Sequence, residues 1–233
     1  GFDKDELKKS DFNLKEINVS VWNGLMFINF DKRCNSLESI YEKLEKRINK
    51  RNFSSYQFYK RDSYNISCNW KIYMDNYLEG LHIPIVHPEL NKTINYKSYK
   101  TETHDQFSLQ WCSIDPQLNP YKNDSSEDLI AYYVTIFPNV ILNIAPGRLQ
   151  TNIVEPIDEK NCSVYFDYYF EQIDEKQVQK DLEFSDIIQR EDIEICESVQ
   201  ANYESKKFKN GIISKNDESG VFHFHSRLKE ILL

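Results

Sequence analysis

The chain has 233 residues, 40% hydrophobic and 14% aromatic, with a net charge of -8. That is enough apolar material for one substantial core, or one core plus a fragment, and the scattered Lys and Arg exclude the concentrated basic face that nucleic-acid binding requires. Five cysteines with no CxxC pair exclude a disulfide framework and a cysteine-ligated zinc site and fit a reducing, cytoplasmic setting. No apolar run approaches the roughly 20 residues of a membrane helix, and the start GFDKDELKKS is not a signal peptide.

Residues 17–30 read INVSVWNGLMFINF, two short apolar runs either side of Asn23-Gly24, a dipeptide that favours the hairpin turn. Ser36 to Arg51 predicts an amphipathic helix, with Leu37, Ile40, Leu44 and Ile48 at helical spacing and Ser36 as its cap. A strand is expected over Tyr56 to Ser67 and a second helical stretch over Trp70 to Leu81. From Asn95 to Trp111 the pattern returns to strands, and a polar loop follows from Asp115 to about Asp128. Four strands are then expected at 131–137, 140–144, 148–156 and 163–170, with turn signals at Pro138-Asn139 and Pro146-Gly147. One long helix, 175–205, and a last helix over roughly 221–232 complete the chain. Strands followed by a long helix predict an α+β layout, an antiparallel sheet wrapped around that helix and leaving a cavity between them.

The densest set of metal-binding side chains is DNYLEGLHIPIVH, residues 75–87. His82 and His87 are five apart, about 140° on an unbroken helix, so they could not share an ion there. Pro84 lacks an N–H and disfavours helix at Ile83, so a break between the histidines is predicted, letting His87 swing back toward His82. Two histidines on an apolar background are more often structural, but the break and the carboxylate Glu79 one turn before His82 make a metal site an even match for that bland reading. A facial triad needs one more carboxylate. Ile188, Asp192, Ile195, Val199 and Tyr203 follow 4, 3, 4, 4 spacing, which puts Asp192 on an apolar stripe where it would be costly unless paired or metal-bound. Glu191 borders the same stripe and is an alternative on periodicity. His223 and His225 are better explained by packing or surface roles than by a second metal site, and His104 as an ordinary strand or loop histidine.

NWKIYMDNYLEGLHIPIVHPEL (69–90), TIFPNVILNIAPGRLQTNIVEP (135–156) and REDIEICESVQ (190–200) together resemble, in order, the iron-site signature, the central strands and the third-ligand helix of Rieske non-haem iron oxygenase alpha subunits. The resemblance implies a helix-grip fold of the Bet v 1/START-like kind, with His82, His87 and Asp192 as Fe(II) ligands. It also implies that Glu79 bridges electron transfer from a neighbouring subunit's cluster and that Asn76 lies close to the iron. For Asn76 a cap or core hydrogen bond is an equal alternative. Glu, rather than the Asp of many ring dioxygenases, at position 79 resembles the carnitine, choline and betaine-type monooxygenase branch.

The resemblance further implies O₂-dependent hydroxylation, dihydroxylation or oxidative demethylation of a small organic substrate, electrons from an NAD(P)H-dependent reductase with or without a ferredoxin, and a homotrimer. The family's C-x-H and C-x2-H ligands to its [2Fe-2S] cluster do not occur in this sequence. Residues 1–33 are therefore expected to be the end of the Rieske domain, 34–233 the mononuclear-iron domain, and the cluster segment to lie upstream of Gly1. Two rivals use the same shape or ligands: a metal-free helix-grip carrier of an apolar ligand, and a hydrolytic zinc enzyme.

Overall fold

The computed structural model describes residues 13–48, 51–115, 129–207 and 211–232; the loop expected from Asp115 falls almost wholly outside them. The chain forms two compact units, one through Ser54 and one from Ser55.

In the first unit, β1 (Asn18–Trp22) and β2 (Leu25–Asn29) pair antiparallel with Trp22 opposite Leu25. The turn between them is Asn23 (φ 49°) and Gly24 (φ 83°), two left-handed residues, as the Asn-Gly signal predicts. The helix expected to Arg51 is shorter: α1 spans Leu37–Arg47, and Ser36 stands at its N-cap position without a side-chain cap bond. Trp22 stacks on Tyr41 at 6.1 Å, meets Phe53 edge-on and donates its indole N–H to Glu45 at 2.8 Å. One aromatic side chain thus ties the hairpin to the helix.

The second unit is built on a seven-stranded antiparallel sheet in the order β3-β9-β8-β7-β6-β5-β4. Its strands are β3 (Gln57–Ile66), β4 (Lys100–Thr103), β5 (Phe107–Ser113), β6 (Ile130–Ile136), β7 (Val140–Ala145), β8 (Arg148–Pro156) and β9 (Cys162–Phe170). Gly147, at φ 69°, makes the turn into β8. The strand expected from Asn95 begins only at Lys100, because Tyr96–Ser98 is a 3₁₀ turn.

The α-helices of this unit are α2 (Trp70–Tyr77), α3 (Ile83–Val86), α4 (Pro88–Thr93), the long α5 (Glu175–Glu204) and α6 (Ser219–Leu232). Asn69 caps α2 by accepting the N–H of Lys71. Asp174 caps α5 by accepting the N–H groups of Lys176 and Gln177, satisfying donors that a helix start leaves orphaned. Tyr73 and Met74 of α2, Val178, Leu182 and Cys196 of α5 and Val221 and Phe224 of α6 share one buried cluster with Ile141, Val154, Val164, Phe166 and Tyr168 of the sheet. This is the predicted α+β arrangement of an antiparallel sheet against a long helix near the carboxyl end. No helix among the described residues is long and apolar enough to cross a membrane.

Candidate metal centre

The predicted break between the histidines is displaced. α2 already ends at Tyr77, ahead of both, and His82 and His87 bracket the single turn α3. Pro84 lies in the first turn of that helix, where its missing N–H costs nothing. His87, at φ -115° and ψ 74°, leaves α3 and starts α4. One turn with a non-helical residue at its end brings the two rings to 5.0 Å between centroids, at 76° to each other.

Asp192 faces them from α5. Its Oδ1 lies 3.0 Å from His87 Nε2 and 3.8 Å from His82 Nε2, and one ligand atom from each of the three residues lies within 4.8 Å of the others. The predicted stripe around Asp192 is corrected in part. The buried face of α5 carries Val178, Asp181, Leu182, Ser185, Gln189, Cys196 and Gln200, while Tyr203 is 51% exposed. Four of these seven are polar, and two of the four, Ser185 and Gln189, line a cavity.

The outer nitrogens of both imidazoles are held by carboxylates. Glu79 Oε1 lies 2.5 Å from Nδ1 of His82, and Glu79 Oε2 accepts the N–H groups of Leu81 and His82. Glu191 Oε2 lies 2.7 Å from Nδ1 of His87. Glu191, which periodicity alone left open as a ligand, thus meets the far side of the ring that Asp192 faces. Asn76 donates from Nδ2 to Asp192 Oδ1 at 2.6 Å, so it orients the carboxylate and is not a helix cap.

A carboxylate on each Nδ1 places the ring proton there and leaves the Nε2 lone pairs aimed at an anionic oxygen. Two imidazole nitrogens and a carboxylate oxygen converging in this way form a donor set that a divalent cation would complete. Burial disfavours a proton on His87, but Asp192 and Glu191 outweigh it and pull the imidazole up. Two histidines and one carboxylate on one side, with the other side open to a cavity, fit a non-haem Fe(II) ion. The fit rests on the donor set itself.

That cavity, about 130 Å³, is lined by the triad, Glu79 and Asn76 and by Tyr73, Tyr77, Tyr99, Tyr133, Phe166 and Phe184. Tyr73 donates to Gln189, Tyr77 to Asn143 and Tyr99 to Gln110. Burial holds all three phenols well above their usual range, so they are neutral donors.

The family model of the ring-hydroxylating alpha subunit, catalytic domain, matches residues 53–233. The chain belongs to this family. Within the ring-hydroxylating alpha subunits it is 34% identical to choline monooxygenase of Arabidopsis thaliana over 174 residues, 72% of this chain and 40% of that one. It is 26% identical to the carnitine monooxygenase oxygenase subunit of Escherichia coli K12 over 99% of this chain and 64% of that one. The chain thus spans only part of the length of these relatives. Its fold matches a quaternary ammonium Rieske monooxygenase with a TM-score of 0.77 at 22% identity, over 92% of this chain and 61% of that one. Naphthalene 1,2-dioxygenase from Rhodococcus sp. matches with a TM-score of 0.71 at 16% identity, over 98% and 69%.

The remaining histidines stand apart from the triad. His225 Nε2 lies 2.8 Å from Asp75 Oδ1, His104 meets Glu102 and stacks on Phe107, and His223 is half-buried on α6.

Proposed function

We propose that this chain is the catalytic portion of a Rieske-type oxygenase that holds Fe(II) with His82, His87 and Asp192 and oxidises a small quaternary ammonium compound. The observation that carries the reading is the convergence of two imidazole Nε2 atoms on Asp192 Oδ1 at the wall of an aromatic cavity. The printed activities of the relatives, on choline and carnitine, support the substrate class. So does the cavity, because aromatic faces attract a quaternary ammonium.

Bound Fe(II) would supply an open coordination position for O₂ and pass to it the electrons that a reductase delivers. The chain's own residues do the rest. Asn76 fixes the Asp192 carboxylate, and Glu79 and Glu191 fix the imidazole tautomers. Tyr73, Tyr77 and Tyr99, with hydroxyls already committed to amide oxygens, present their faces to the substrate and exclude water. Glu79, on the outer side of His82, is the route for an electron from a Rieske [2Fe-2S] cluster of a neighbouring subunit in a homotrimer, fed by an NAD(P)H-dependent reductase. Residues 1–33 would be the end of the Rieske domain; exposed Val19, Val21, Met26 and Ile28 on the hairpin are the apolar surface that such a domain would cover. Five free thiols favour a reducing compartment, the cytoplasm.

The test bypasses the cluster. The chain, loaded anaerobically with Fe(II), is given γ-butyrobetaine, L-carnitine or choline with ¹⁸O-labelled hydrogen peroxide, which stands for O₂ plus two electrons. Labelled oxygen in an oxidised product, absent from a zinc-loaded control, supports the reading. Metal-dependent hydrolysis without label incorporation would overturn it.

A further inference from the structure

The charged groups that line the cavity are segregated. At one end stand Glu79 and Asp192 with the two histidines; at the other the charged residue in the wall is Arg148. Arg148, 5% exposed, is the first residue of β8 and donates to Gln150 and Ser185. Its NH1 lies 3.2 Å from Asp181. The pair is neutral as a unit, but Arg148 lines the cavity and Asp181 is not among its lining residues, so the cavity meets the positive partner.

Gln189 lies between the two ends. It is 2% exposed, lines the cavity and accepts the Tyr73 hydroxyl on Oε1. Its Nε2 is buried with no hydrogen-bond partner. A buried amide N–H without an acceptor is destabilising, and a ligand acceptor in the cavity would remove that cost.

Position along α5 sets the scale. Gln189 is three residues from Asp192, about 4.5 Å along the axis, and Ser185, beside Arg148, is seven, about 10 Å. Gln189 and Ser185 are i,i+4 neighbours, so their side chains lie side by side. A trimethylammonium and a carboxylate joined through three methylenes are about 5 Å apart when extended. Such a molecule fits with its methyl groups near the triad and its carboxylate between Gln189 and Arg148.

We propose that the cavity selects a zwitterion, a quaternary ammonium compound that also carries a carboxylate, with the carboxylate received by Gln189 Nε2 and the Arg148 guanidinium. This rests on the quaternary ammonium reading above and narrows it: an alcohol such as choline has the cation but nothing for the far end.

Calorimetric titration of the chain with γ-butyrobetaine, its methyl ester and choline tests this by binding alone. The ester keeps the cation and removes the anion. We expect γ-butyrobetaine to bind at least ten-fold more tightly than either. Gln189→Glu keeps the acceptor for Tyr73 and replaces the donor with a negative charge, so it should erase that preference. Arg148→Met/Asp181→Leu, which removes the buried pair as a unit, should also erase it; thermal melting of both variants confirms that they fold. Equal or tighter binding of the ester and choline to the wild type would overturn the zwitterion inference and leave the quaternary ammonium reading standing. A preference that persists in both folded variants would overturn the assignment to Gln189 and Arg148. Binding of none of the three would overturn both readings.

Discussion

Glu191 holds Nδ1 of His87 at 2.7 Å and so turns Nε2 of the same ring toward Asp192, the next residue on α5. Consecutive helical residues point about 100° apart, and the His87 ring fits into that angle, gripped at both nitrogens. The carboxylate that does not face the metal position therefore decides how well the imidazole can bind there.

Replacing Glu191 should weaken metal binding without abolishing it. Glu191→Ala is expected to lower Fe(II) affinity about 10–100-fold, the usual cost of losing an outer-shell partner. Glu191→Gln, which retains an acceptor oxygen, should lose less. Anaerobic Fe(II) titrations of the three proteins give the order directly.

Gly220 of α6 lies where a Cβ would sit 2.4 Å from the carbonyl oxygen of Leu78, immediately before Glu79. Backbone cannot yield as a flexible side chain does, so Gly220→Ala should destabilise the protein by about 1–3 kcal/mol. Urea denaturation measures it, and a drop in Fe(II) affinity is expected alongside, because the segment that carries Glu79 and His82 must shift.

The buried pair Arg148–Asp181 should show strong non-additivity. Removing either partner alone leaves an uncompensated buried charge, expected to cost about 3–5 kcal/mol, whereas Arg148→Met/Asp181→Leu should be near neutral. Burial pushes the Asp181 carboxyl up to about 6, against the pull of Arg148, so that carboxylate gains little from its site. A double-mutant cycle by denaturant unfolding checks this.

His225 and Asp75 predict a pH dependence. The Asp75 carboxylate holds the His225 imidazole above its ordinary value, outweighing burial. A group whose folded pKa is raised contributes stability that is fully present below its unfolded value near 6.5 and lost as pH rises through the folded value. The stability difference between wild type and His225→Asn should therefore shrink from pH 6 to pH 8.5. Asp75 is itself raised, chiefly by burial and against the pull of His225. Thermal melts of both proteins across that span give the comparison.

Much of this architecture can be read from local signals. β8 is legible to the residue because Pro146-Gly147 and Pro156 bound it. The hairpin follows from Asn23-Gly24, and the long helix expected over 175–205 is α5. The histidine pair is legible as a pair, but its break is placed wrongly: Pro84 signals a discontinuity, yet proline is equally at home at a helix start, and only the structure shows α2 stopping at Tyr77. Tyr203 follows the apolar spacing but stands half-exposed in the last turn of α5. The roles of Glu191, Gln189 and Arg148 are invisible to periodicity, because each depends on a partner about 35 to 115 residues away in sequence.

The most direct test of the account is the Fe(II) content and affinity of the anaerobically prepared chain beside His82→Ala and Asp192→Ala. The triad predicts about one iron per chain in the wild type and its loss in both variants. Iron retained undiminished in either variant, or a wild type that binds none, would contradict it.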